Sequence, residues 1–180
     1  FNPLAVKISY EHSVRLPIAR ELLGNGTTVY ANVALEPEKS NNVNLALFGT
    51  WRPAARHTVY YEANGFLRYV DNYIQTSVIE KEGMLQYVND PAVHIKGVEG
   101  EVSYDWDGRL QLMANVSYQD ARDQQEFKED GKPSATYNNH VPNRPWLFGS
   151  AEASYTFRNL WQQGGKLRLG CTFQWVHWYF

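Results

Sequence analysis

The chain has 180 residues and a formal net charge of −2, so neither nucleic acid nor an anionic surface is implied as a partner. Its single cysteine, Cys171, excludes an intrachain disulfide and a Cys-rich metal site. No run approaches the roughly 18 apolar residues of a membrane-spanning helix, yet the aromatic share is high at 14%, with 12 Tyr and 6 Trp.

A negative mean hydropathy suits a soluble chain. It suits a β-barrel equally, because half of each spanning strand is polar. Phe1 is not an initiator residue, no signal peptide is visible, and the chain opens inside a strand-like pattern. It is therefore expected to be an excised piece of something longer.

In chain order, Leu4, Val6, Ile8 and Tyr10 alternate with Ala5, Lys7, Ser9 and Glu11, the period-two signature of a first strand. A long segment, 15–40, follows, with Pro17, Gly24, Gly26 and Pro37. Val43, Leu45, Leu47 and Trp51 mark a second strand, and residues 52–57 a short basic connection. The third strand, 58–70, is less cleanly patterned, with Tyr61, Ala63, Leu67 and Tyr69 on its apolar face. Residues 71–92 read as a second long loop holding a small hairpin, 74–79 against 84–88.

The fourth and fifth strands carry the clearest pattern. Val98, Val102, Tyr104 and Trp106 share one face before the turn at Asp107-Gly108, and Leu110, Leu112, Ala114, Val116 and Tyr118 share one after it. A two-residue loop would oppose Trp106 to Arg109 and Tyr104 to Gln111, placing apolar residues against polar ones. A three-residue loop, Asp107-Gly108-Arg109, pairs Trp106 with Leu110, Tyr104 with Leu112 and Val102 with Ala114, and is predicted here. Each strand then presents an apolar run of about nine residues, roughly 30 Å long, which when tilted covers the apolar band of an outer membrane. A third long loop spans 120–143. Strand six is predicted over 146–157, a shorter connection over 158–165, and strand seven from Lys166 through Trp175.

The connections thus run long, short, long, short, long, short. In an antiparallel up-and-down meander every second connection lies at the same end, so the long ones gather at one end and the short ones at the other. Outer-membrane barrels show that asymmetry, whereas a soluble sandwich has no reason to sort its loops. Tyr10, Trp51, Tyr69, Trp106, Tyr118, Tyr155, Phe157 and Trp175 sit near strand ends, where interfacial aromatic girdles belong. The fold class expected is all-β, about seven strands of a large transmembrane barrel, unclosed on their own.

Three stretches carry a resemblance. SYEHSVRLPIARELLGNG followed by LEPEKSNNVNLALFG resembles a segment of TonB-dependent outer-membrane receptors, with Arg15, Pro17, Glu21, Leu22, Pro37, Glu38 and Ser40 as the matching residues. VHIKGVEGEVSY is similar to a strand motif of the family, and SYQDARD with VPNRPWLFGSAEASY to a later strand pair. The resemblance implies a late-middle to C-terminal portion of a 22-stranded barrel. The plug domain, the segment that binds the energy-coupling protein and the remaining strands are expected to lie outside the chain. Phe180 is a terminal aromatic, but Thr172, Gln174, Val176 and Trp178 before it form a poor apolar series, so it does not read as a native barrel end.

Further features point to no chemistry. His12, His57, His94, His140 and His177 show no metal-like spacing. Glu99, Glu101 and Asp105 share a strand face, which permits a hydrolytic carboxylate pair but is also ordinary for a water-filled lumen. Asn25 and Asn115 head formal glycosylation sequons, which mean nothing if the source is bacterial. No nucleotide or nucleophile motif occurs. The chain is expected to be no enzyme and to hold no cofactor.

The function implied is uptake of a scarce solute, an iron chelate, haem, cobalamin or a glycan, across the bacterial outer membrane. Its partners would be outer-membrane lipid, the solute, and a TonB-type coupling protein acting through the absent N-terminal part. A soluble carbohydrate-binding or hydrolytic domain and a passive porin are the alternatives. In the third long loop and at the residue just after it, Arg122, Tyr137, His140 and Arg144 offer cationic, aromatic and hydrogen-bonding groups suited to an anionic or ring-bearing ligand, against a merely solvated loop.

Overall fold

The computed structural model describes residues 4–79, 83–128 and 131–177; the terminal aromatics Trp178 and Phe180 lie outside them. Among the described residues, eight strands and one helical turn occur in chain order: β1 Ala5–Arg15, α1 Ala19–Leu23, β2 Val29–Tyr30, β3 Glu38–Ala54, β4 His57–Ile79, β5 Met84–Trp106, β6 Leu110–Asp123, β7 Leu147–Arg158 and β8 Lys166–Val176. Seven of them form one antiparallel meander, β1-β3-β4-β5-β6-β7-β8, and the sheet does not close. The two-residue β2 pairs in parallel with β5 through Val29↔Leu85 and Tyr30↔Gln86.

The register aligns the apolar residues across every strand. Val6 faces Leu47, which faces Ala63, then Gly100, Val116 and Gly149, and Gly149 faces Trp175. The parallel row runs from Tyr61 through Val102, Ala114 and Ala151 to Phe173. Directly paired residues point to the same side of a sheet, so one apolar face extends over all seven strands. Its members stay exposed: Ile8 75%, Phe173 65% and Val98 58%. The opposite face carries Asn64, Glu99 and Ser117 in one row and Glu62, Glu101, Asn115 and Ser150 in another.

The turn after β5 has three residues, with Trp106 opposite Leu110, as the side-chain pattern requires. Asp107 and Gly108 both have positive φ, 54° and 60°, which a tight I′-type reversal needs. The Asp107 N–H donates to the Arg56 carbonyl at 2.8 Å, so neighbouring short turns are tied together at this end of the sheet.

At the other end the structure departs from the sequence reading. Residues 71–92 are not a loop with a separate hairpin: β4 and β5 run on as 23-residue partners from the wall to the tip. At about 3.3 Å per residue each is roughly 75 Å long, far more than a membrane needs. Pairing lapses only at Asn72 and Pro91, between Asp71↔Ala92 and Tyr73↔Asp90. Pro91 has no N–H to offer the ladder, and Asn72 adopts a positive φ of 56°. Beyond that break the faces exchange, so Tyr73 packs against the polar-side cluster of Phe66, Val70, Val93, Ile95, Ala121 and Val141.

The first long segment folds onto this tall hairpin. The Leu85 N–H donates to Thr28 O at 3.0 Å, Asn32 Nδ2 to Tyr87 O at 2.8 Å, and the Glu36 N–H to Asn89 Oδ1 at 2.8 Å. The third loop folds back beside β6: Val141 N donates to Ala121 O, and Asn138 N to Asp123 O. Asn138 and Asn143, both at positive φ, turn the chain on either side of that contact.

Candidate functional site

The residues that carried the family resemblance meet at the long-loop end. Arg15 closes β1 and faces Glu38, the first residue of β3. Its Nε donates to Glu38 Oε2 at 2.6 Å and its Nη2 to Oε1 at 2.9 Å, a forked charge-assisted pair. Its Nη1 reaches both oxygens of Glu21 at 3.0 and 3.1 Å. Glu21 sits in the helical turn α1, buried, and also accepts from the Ile18 N–H at 2.9 Å. Burial works against the Glu38 charge, but Arg15 and the Ile74 N–H hold its pKa below the ordinary value. The motif is thus a clasp that locks the first long segment to the wall.

Beside the clasp, on the polar face, lies a recess of about 440 Å³ lined by Ser13, Asn42, Arg68, Tyr73 and Arg144, among others. The Arg68 guanidinium stands 4.5 Å over the Phe66 ring, and that of Arg144 5.3 Å over Tyr73. Two cations held over rings, with amides and hydroxyls around them and the carboxylates of Glu11 and Glu38 also in the lining, can take an anionic or planar group. Arg68 and Tyr73 were not foreseen from sequence. Arg68 has the same strand parity as Phe66 and Val70, which was its available signal; Tyr73 had none, because the break at Asn72 inverts parity.

The four loop residues singled out from sequence divide. Arg144 joins the recess. Tyr137 is exposed on the loop. Arg122 and His140 come together across a bridge beside β6, around buried Asp120. Arg122 Nε lies 3.0 Å from both Asp120 oxygens, and His140 Nδ1 lies 3.2 Å from Oδ1. These two stand on the apolar side of the sheet, since Asp120 and Arg122 continue the parity of Leu112, Ala114, Val116 and Tyr118.

Lower on the polar face, Glu62 opposes Glu101, and Asn64 opposes Glu99. Among the described residues no group of three or more His, Cys, Asp or Glu is placed to hold a metal ion. Cys171 is free and exposed.

The family profile described as "TonB dependent receptor-like, beta-barrel" matches residues 1–177. Comparison with curated protein sequences gives no match. Among solved structures, a copper transporter, OprC, superposes with a TM-score of 0.61 at 20% identity, over 97% of this chain and 24% of that one. The hemophore receptor HasR of Serratia marcescens, a double mutant in complex with its hemophore HasA and heme, gives 0.61 at 18% identity, over 98% of this chain and 30% of that one. The chain therefore spans between about a quarter and a third of the length of these two receptors, and at such identities they speak for the fold. With the profile covering nearly the whole sequence, the chain belongs to the TonB-dependent receptors, as a portion of their β-barrel.

Proposed function

We propose that this chain is a wall segment of an outer-membrane receptor that takes up a scarce solute, such as an iron chelate, haem, cobalamin or a glycan, through coupling to a TonB-type protein. The carrying observation is the two-faced sheet: one apolar face continuous over seven strands, and a polar face whose long-loop end holds the recess of Arg68, Tyr73 and Arg144. The apolar face meets lipid, the polar face lines the lumen, and the long loops face outside the cell. Recognition sits on loops held by a rigid scaffold, and Arg144 and Tyr137 offer a cation and a ring for it.

The test uses the full-length receptor, with solute affinity and uptake as readouts. Arg144→Ala should weaken affinity about tenfold, equivalent to about 1.4 kcal/mol, with the barrel still folded. Replacing residues 124–143, which leaves β6 whole, by a short Gly-Ser turn should weaken it further. Undiminished affinity in both variants would remove this loop and recess from the binding site.

A further inference from the structure

The cluster around Asp120 lies across the wall from the solute recess. Along β6 the apolar series Leu112, Ala114, Val116, Tyr118 runs straight into Asp120 and Arg122 on the same face. Laterally, Asp120 pairs with Lys96, and Lys96 with Leu67; Arg122 pairs with His94, and His94 with Tyr69. The charges therefore form the upper border of the apolar band. A sheet needs no charge there for its own ladder, and a lipid-facing charge is costly unless a polar group meets it.

The cluster is built rather than incidental. Asp120 is 6% exposed and orients Arg122, whose Nη1 also donates to the Asn138 carbonyl at 3.1 Å. Lys96 is held loosely, with its Nζ 3.5 Å from Asp120 and its side chain 66% accessible. Tyr69 and His94 meet edge to face with centroids 4.6 Å apart. Two permanent cations share one carboxylate, which leaves a net positive charge even with both histidines neutral. Between these groups opens a cleft of about 410 Å³, lined by Tyr69, His94, Lys96, Asp120, Arg122 and Asn138.

We infer that this cleft binds the anionic, phosphate-bearing headgroup of a membrane lipid whose acyl chains lie down the band over Leu67, Val98 and Tyr118. The inference rests on the membrane placement proposed above. Lys96 and Arg122 supply the charge, and His94 and Tyr69 supply further hydrogen-bonding groups. A free phosphate would find the same groups but lacks the chains that the band receives.

The experiment reconstitutes the full-length receptor in phosphatidylcholine bilayers containing phosphatidic acid. A photoreactive phenylalanine analogue is placed at position 69, and in a second preparation at position 114, in the middle of the band. Position 114 should crosslink both lipids in proportion to their abundance. Position 69 should favour phosphatidic acid roughly fivefold, the effect of one cation near an anionic surface. Lys96→Gln should bring that preference close to parity, and millimolar inorganic phosphate should leave it intact. No preference at position 69, or one that survives Lys96→Gln combined with Arg122→Gln, overturns the inference alone. Abolition by inorganic phosphate assigns the cleft to a free anion and overturns the lipid. Absence of lipid crosslinks at position 114 removes the membrane placement itself, and this inference with it.

Discussion

At the scale of single residues, the upper hairpin carries a buried carboxylate. Asp90 is 6% exposed, and its pKa is pushed from 3.8 up to about 6, by burial first and then by the charge of Asp123, against a contact from the Ala92 N–H. Asp123 accepts the Gln125 N–H at 2.7 Å, and Gln75 Nε2 donates to Asp90 at 3.0 Å. A carboxyl whose pKa is raised on folding favours the folded form least when it is ionised. The penalty is absent below about pH 4, grows as pH rises to about 6, and is complete above that. The upper parts of β4 and β5 should therefore resist local opening better at pH 5 than at pH 7.5, once intrinsic exchange rates are corrected. Asp90→Asn should slow hydrogen exchange there at pH 7.5 and flatten the pH dependence. A wild-type protein with equal protection at both pH values would refute this. None of it was legible in sequence, because Asp90 and Asp123 lie 33 positions apart and only the ladder brings them together. The clasp was half legible: Arg15, Glu21 and Glu38 stood out as motif residues, but not as partners, since motif resemblance identifies positions without assigning contacts.

At the scale of elements, period-two alternation fixed the turn after β5 and the facing of most strands, because a one-residue slip would move every side chain to the other environment. It failed where both faces are covered. Phe66, Val70, Val93 and Ile95 sit on the otherwise polar face and are buried there under the third loop's Val141, so the third strand reads as irregular. Parity also held the answer for Arg122, which continues the series of Tyr118, but its charge made it read as loop. The facing of β6 predicts a contrast. Ala114→Arg, in mid-band on the apolar face, should cost about 2–4 kcal/mol in a full-length barrel. The matching probe on the polar face is Ser117 rather than Asn115, because Asn115 exchanges hydrogen bonds with Ser150 at 2.8 and 3.2 Å, and its loss would confuse the comparison. Ser117 stands opposite Glu99, so Ser117→Arg should cost less than about 1 kcal/mol. Denaturant unfolding in lipid measures both, and equal costs would contradict the assignment of faces.

At the scale of the whole molecule, area decides how the sheet can exist. Its accessible surface is 12394 Å². A compact soluble protein of 20.7 kDa would expose roughly 8,900 Å². The excess is roughly 3,500 Å² by that scaling, as expected of an open sheet, and on its apolar face Val6, Ile8, Leu169, Phe173 and their neighbours remain open. β1 and β8 also end the sheet with unpaired backbone groups, which invite pairing with another chain. Lipid would satisfy the face, and neighbouring strands of a closed barrel would satisfy the edges; the described residues alone satisfy neither. Expressed by itself and brought into buffer without detergent, the chain should associate through both. Light scattering at about 10 µM should show oligomers whose size grows with concentration. In detergent the face is covered but the edges are not, so association should persist in reduced form, whereas the full-length receptor should be a single species. A monodisperse, folded monomer in detergent-free buffer would mean that the apolar face can bury itself, and the sheet would then be no part of a membrane wall.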